Sequence, residues 1–80
     1  MGTRIEVTIT AQDGQTLPND IKYAMDHEMP KFGIKGVTEK SKNNEQATYT
    51  CTCDTYDQKT FQDTLRTALG GRVGVTAKEI

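Results

Sequence analysis

The apolar residues of this chain change period along its length, from two to about 3.6 and back, and they do so twice. That succession limits the folds open to it. Arg4-Ile5-Glu6-Val7-Thr8-Ile9-Thr10 alternates, which predicts a half-buried strand with Ile5, Val7 and Ile9 inward. Asp13-Gly14 marks a turn, and Thr16-Leu17-Pro18 predicts a helix start. Thr16 can cap free amides there, and Pro18 suits a first turn because its missing N–H would be unpaired. Leu17, Ile21, Ala24, Met25 and Met29 then recur at helical spacing as one apolar stripe, which Pro30 and Gly33 end.

Residues 34–40 do not alternate strictly, since Gly36 interrupts Ile34 and Val37. They predict a short edge strand whose Lys35 and Lys40 discourage pairing with another chain. The polar run Ser41 to Gln46, with Asn43-Asn44, predicts a hairpin connection. Ala47 to Cys53 alternates again, with Tyr49, Cys51 and Cys53 on one face and Thr48, Thr50 and Thr52 on the other. For the second helix, Asp57 is the expected N-cap and Tyr56 staples onto Phe61. Its stripe is Phe61, Leu65, Ala68 and Leu69, and Gly70-Gly71 supplies a left-handed stop. Arg72 to Lys78 closes the chain's last strand, with Val73, Val75 and Ala77 inward.

The order is strand, helix, strand, strand, helix, strand. Right-handed crossovers then place both helices on one face of a four-stranded antiparallel sheet. The expected class is α+β, a ferredoxin-like split βαββαβ sandwich, with residues 1–80 forming a single compact domain. The other sheet face is left with Thr8, Thr10, Thr48, Thr50, Thr52 and Thr76.

Eighty residues leave no room for a second core. Ten basic side chains stand against eleven acidic ones, whereas a dedicated duplex-DNA binder carries a marked basic excess. No apolar run reaches membrane-spanning length, and MGTRIEVTIT lacks a signal peptide's apolar stretch. A cytoplasmic location is expected, with no membrane association. Cys51 and Cys53 point to the same side of a strand, a poor geometry for an unstrained disulfide, so reduced thiols are expected.

The residues offer little to catalysis. Zinc asks for four ligands, or three and a water, and His27 is the one other soft donor besides the two cysteines. An iron–sulfur cluster normally asks for four thiolates. No metal or cofactor is expected. Asp26-His27-Glu28 are adjacent on a helix, where neighbours diverge by about 100°, so the three do not converge, and no nucleophile is identifiable. Gly70-Gly71-Arg72-Val73-Gly74 follows a helix instead of preceding one, the wrong end for a phosphate. No catalytic residue is expected, and the protein is read as a non-enzyme.

Two surface regions remain as partner-binding candidates. One is the basic segment with Lys31, Lys35, Lys40 and Lys42 against Glu39 alone. The other is the first helix around Tyr23, Asp26 and His27, because exposed tyrosines often anchor interfaces. Of families with this topology, RNA-recognition motifs stack bases on aromatics of the first and third strands. Here the first strand has none, and Tyr49 lies on the inward register. The loop Ala11 to Thr16 lacks the arginine of acylphosphatases and the Cys-x-x-Cys of heavy-metal-binding domains.

Arg4 to Ile9, followed by Leu17-Pro18, resembles the start of the DinI family of SOS-response modulators, which bind the RecA filament through an acidic second helix. The second helix here mixes Asp57 and Asp63 with Lys59 and Arg66, and Arg72 to Lys78 lies outside that family's βαββα pattern. The resemblance therefore transfers no partner.

The functional expectation is a small protein-binding modulator, by analogy of size and fold a phage- or mobile-element-encoded inhibitor or adaptor of a host protein complex. The alternative is a nucleic-acid-binding module using the basic 31–42 segment, which would bind with a steep salt dependence. A third reading is self-assembly through the threonine-rich face or an edge strand. Monomer and homodimer are both open.

Overall fold

A computed structural model describes residues 2–80. The elements are β1 (Thr3–Ala11), α1 (Ile21–His27), a 3-10 turn (Pro30–Phe32), β2 (Lys35–Lys42), β3 (Gln46–Cys53), α2 (Gln58–Ala68) and β4 (Val73–Glu79). The strands order as β2-β3-β1-β4, and every neighbouring pair is antiparallel. With both helices packed on one face, this is the α+β, ferredoxin-like sandwich that the order of periods predicts.

The core follows the alternation. Ile5, Val7 and Ile9 of β1, Ala47, Tyr49, Cys51 and Cys53 of β3, and Val73 and Ala77 of β4 are buried on the inner face. Ile21, Ala24 and Met25 of α1 and Phe61 and Leu65 of α2 cover them. Asp57 caps α2 as expected, accepting a hydrogen bond from the Thr60 N–H. Tyr56 lies against Phe61 with ring centroids 5.8 Å apart, so the staple forms.

Three boundaries differ from the sequence reading, each for a local reason. α1 begins at Ile21, not at Thr16–Pro18, and its N-cap Asp20 makes no side-chain cap bond. The Leu17 N–H instead donates to the Asn44 carbonyl, docking the segment before α1 on the β2–β3 hairpin. Proline also disfavours helical geometry in the residue before it, so Leu17 reaches the core from extended chain. α1 ends at His27, and Met29 and Phe32 continue its apolar contribution through the 3-10 turn, which Gly33 closes at φ 61°. A β-carbon on Gly33 would also fall 2.6 Å from an Asp54 carboxylate oxygen, so both backbone and space require glycine here.

The second strand is longer than 34–40 and its hairpin shorter. β2 runs to Lys42, and the turn is held by Asn43, whose Oδ1 accepts from the N–H groups of Glu45 and Gln46. Register shifts between Lys35 and Thr38 and between Glu39 and Ser41, with Gly36 at φ 65°, explain the broken alternation. Such irregularities also blunt an edge against foreign strands.

The other edge, β4, is guarded differently. The Ala77 N–H donates to Gln62 Oε1 at 2.8 Å, and Gln58 Nε2 donates to the Ala77 carbonyl at 2.6 Å. Two glutamines one helical turn apart on α2 thus take the place of a neighbouring strand at the edge's centre. The double variant Gln58→Ala/Gln62→Ala should lose about 1–3 kcal/mol, since it strands part-buried backbone groups. It should also associate in a concentration-dependent way. Urea unfolding and sedimentation test this, and an unchanged midpoint and mass would remove the glutamines from that role.

Candidate binding cleft between the helices

α1 is only seven residues long, so it cannot run the length of α2 beside it. The 3-10 turn fills part of the difference by setting Phe32 edge-on to Phe61, with centroids 5.4 Å apart. Above this contact the helices diverge. A cleft of about 790 Å³ opens there, lined by His27, Glu28 and Pro30 on one side and Asp63, Thr64, Thr67 and Ala68 on the other. A smaller hollow of about 280 Å³ lies between Pro18, Asp20, Tyr23 and Ala24 and the end of α2 at Ala68 and Leu69. Both include Glu28 and Ala68, which makes them one groove along the seam of the two helices.

The groove carries the most exposed aromatic side chain of the described residues. Tyr23 is 60% exposed and stacks on His27, four residues on, with centroids 4.5 Å apart and planes tilted by 37°. Three carboxylates line the groove, those of Asp20, Glu28 and Asp63, and no lysine or arginine does. Among the described residues none of the three makes an ion pair.

The sequence candidates separate on this geometry. Tyr23 and His27 meet at the groove, as a helical spacing of four allows. Asp26 turns away and pairs with Lys22 at 2.8 Å. His27 and Glu28 nevertheless border the same cleft, because the helix ends between them and Glu28 is already the C-cap residue. Adjacency on an ideal helix did not allow for that. Asp20, Glu28, Asp63 and Thr67 are among the groove residues that sequence reasoning missed, since each reads as an ordinary solvated position.

The four lysines do not gather. Lys31 sits over the Phe32 ring at 5.3 Å, and Lys35 pairs with Asp54 at 3.7 Å. Lys40 lies on the open sheet face, 3.6 Å from Glu6, which Lys78 approaches from the other side at 3.5 Å. Lys42 is at the hairpin end of β2, opposite Ala47. The open face also carries a row of hydroxyls, Ser41, Thr48, Thr8 and Thr76, directly opposite one another across all four strands.

Cys51 and Cys53 are free thiols buried on the inner face. Their mutual hydrogen bond, with burial, pushes the Cys51 thiol up, and the same bond draws the Cys53 thiol down. Burial and the nearby Glu39, whose carboxylate accepts a hydrogen bond from the Tyr49 hydroxyl, push the Tyr49 phenol up. Burial and the Glu79 charge do the same to Tyr56, whose buried hydroxyl has no partner among the described residues. The two phenol protons bind more tightly in the folded chain than in the unfolded one. Their contribution to stability is complete below the unfolded phenol value of about 10 and is lost as pH rises above it. The urea midpoint should therefore fall progressively above about pH 10, and Tyr49→Phe should flatten part of that fall. A midpoint level into the alkaline range would contradict it.

Among the described residues no three His, Cys, Asp or Glu side chains converge as metal ligands, and no helix is long and apolar enough to cross a membrane. No protein-family model matches the chain, and neither does any curated protein or solved structure. Function has to be argued from the groove.

Proposed function

We propose that this protein is a small, cytoplasmic, non-enzymatic modulator of the inhibitor or adaptor kind, which binds a protein partner through the groove between α1 and α2. The observation that carries the reading is Tyr23, an aromatic ring left 60% exposed and stacked on His27 at the mouth of that groove. Tyrosine offers a large, rigid, amphipathic contact surface, and such residues are concentrated where protein interfaces hold most of their energy. The rest of the groove suits the role, with an apolar floor at Ala24, Ala68 and Leu69 and polar groups around it. The reading needs no cofactor and no reacting group.

Dispersal of the lysines disfavours the nucleic-acid alternative, because Lys35 and Lys40 each already face a carboxylate. Affinity capture of the tagged protein from host lysate, with and without nuclease, separates the two readings. A stoichiometric protein that survives nuclease is the expected result. Capture that vanishes with nuclease would replace this reading with the nucleic-acid one.

A further inference from the structure

We infer that the partner segment seated in this groove is basic and presents an arginine to Tyr23 and its neighbouring carboxylates; this rests on the reading of the groove as the partner site. The first ground is charge. The chain carries a net charge of only −1, so charge selects a partner only through its local placement. Asp20, Glu28 and Asp63 line the groove without a lysine or arginine among them. On the open sheet face Lys40 and Lys78 already share Glu6, and Lys35, in line with Arg4 and Thr52, pairs with Asp54. A basic segment therefore finds acids in the groove that are unpaired among the described residues, whereas an acidic one would be repelled by them.

The second ground is shape. The Tyr23 ring is exposed and His27 stacks on it at a tilt of 37°, so a planar cation can lie on its free face. A guanidinium stacks on an aromatic face and still directs its N–H fork at a carboxylate, which a lysine ammonium does less well. Glu28 borders both hollows, Asp20 lines the Tyr23 hollow with it, and Asp63 lines the larger one from α2. These acids make no internal ion pair among the described residues, so a partner's cation need not displace one.

The test uses the whole protein, isotopically labelled, titrated with three blocked peptides that alternate alanine with arginine, lysine or glutamate and followed by NMR. The arginine peptide is expected to shift the signals of Tyr23, His27, Glu28, Asp63 and Thr67 and to bind more tightly than the lysine peptide. The Glu28→Gln/Asp63→Asn variant should bind it about 5-fold or more weakly, the scale of losing two exposed ion pairs. Shifts confined to the sheet face, stronger binding of the glutamate peptide, or undiminished affinity in the double variant would each overturn the inference. If the groove ignores the arginine peptide while Tyr23→Ala abolishes capture of the natural partner, the inference fails and the groove reading stands. If Tyr23→Ala leaves that capture intact, the groove reading itself fails.

Discussion

Phe61→Ala should lower the unfolding free energy by about 3–5 kcal/mol, the range for deleting a fully buried phenyl ring. A domain of this size has only about 4–12 kcal/mol in total, so the loss is a quarter or more of its stability. Phe61 is 0% exposed and touches rings from two other segments. Its ring receives Phe32 edge-on from the 3-10 turn and Tyr56 from the segment before α2, and aromatic pairs of this kind add roughly 0.5–1.5 kcal/mol each beyond area. Removing it loosens the 3-10 turn, the N-terminal turn of α2 and the sheet beneath them together. The melting temperature should drop by more than about 10 °C, and Phe61→Leu, which keeps most of the volume, should recover a large part. Denaturant unfolding followed by circular dichroism measures both. A loss below about 1 kcal/mol for the alanine variant would show that the core is not centred on this ring.

Phe61 was legible from sequence because its burial is fixed by local pattern, with a capped helix, a staple and a stripe of period 3.6 all agreeing. The same agreement made β1, β3 and β4 readable, and with them the sheet order. Agreement failed where a distant partner decided the conformation. Thr16 and Pro18 are good helix-starting chemistry, but the Leu17 N–H finds the Asn44 carbonyl on a hairpin far along the chain, and no local rule contains that bond. The extent of β2 was obscured because its pattern is broken by the two register shifts that let it bend against β3.

The site was legible only in part, for a related reason. Tyr23 and His27 lie on one helix at a spacing that guarantees contact, so the pair can be read from spacing alone. Asp63 and Thr67 join them from the other helix, across a cleft whose existence depends on how early α1 ends. The lysine segment is close in sequence but does not form one patch. A strand of eight residues spans roughly 25 Å, and the bulges turn its lysines toward different faces. The glutamine cap on β4 gave no signal either, since Gln58 and Gln62 look like any polar helix surface until the strand arrives beside them.

Tyr23→Ala should weaken partner binding by about 2 kcal/mol or more, roughly 30-fold, while leaving the fold almost untouched. The separation of the two effects is what makes the variant informative. Tyr23 is 60% exposed and its principal contact is the exposed His27 ring, so truncation should change unfolding free energy by no more than about 0.5 kcal/mol. In a complex the same ring would be desolvated against the partner, and its loss would also free His27 to move and open the mouth of the groove to water. Tyr23→Phe retains the stacking surface and should retain most of the affinity. Charge reversal at Lys40, on the opposite side of the sheet beside Glu6, should leave affinity within about twofold, apart from a change in its salt dependence. Titration calorimetry on the captured partner measures all three variants. Near-native affinity for Tyr23→Ala, combined with a large loss at Lys40, would move the interface from the helices to the sheet.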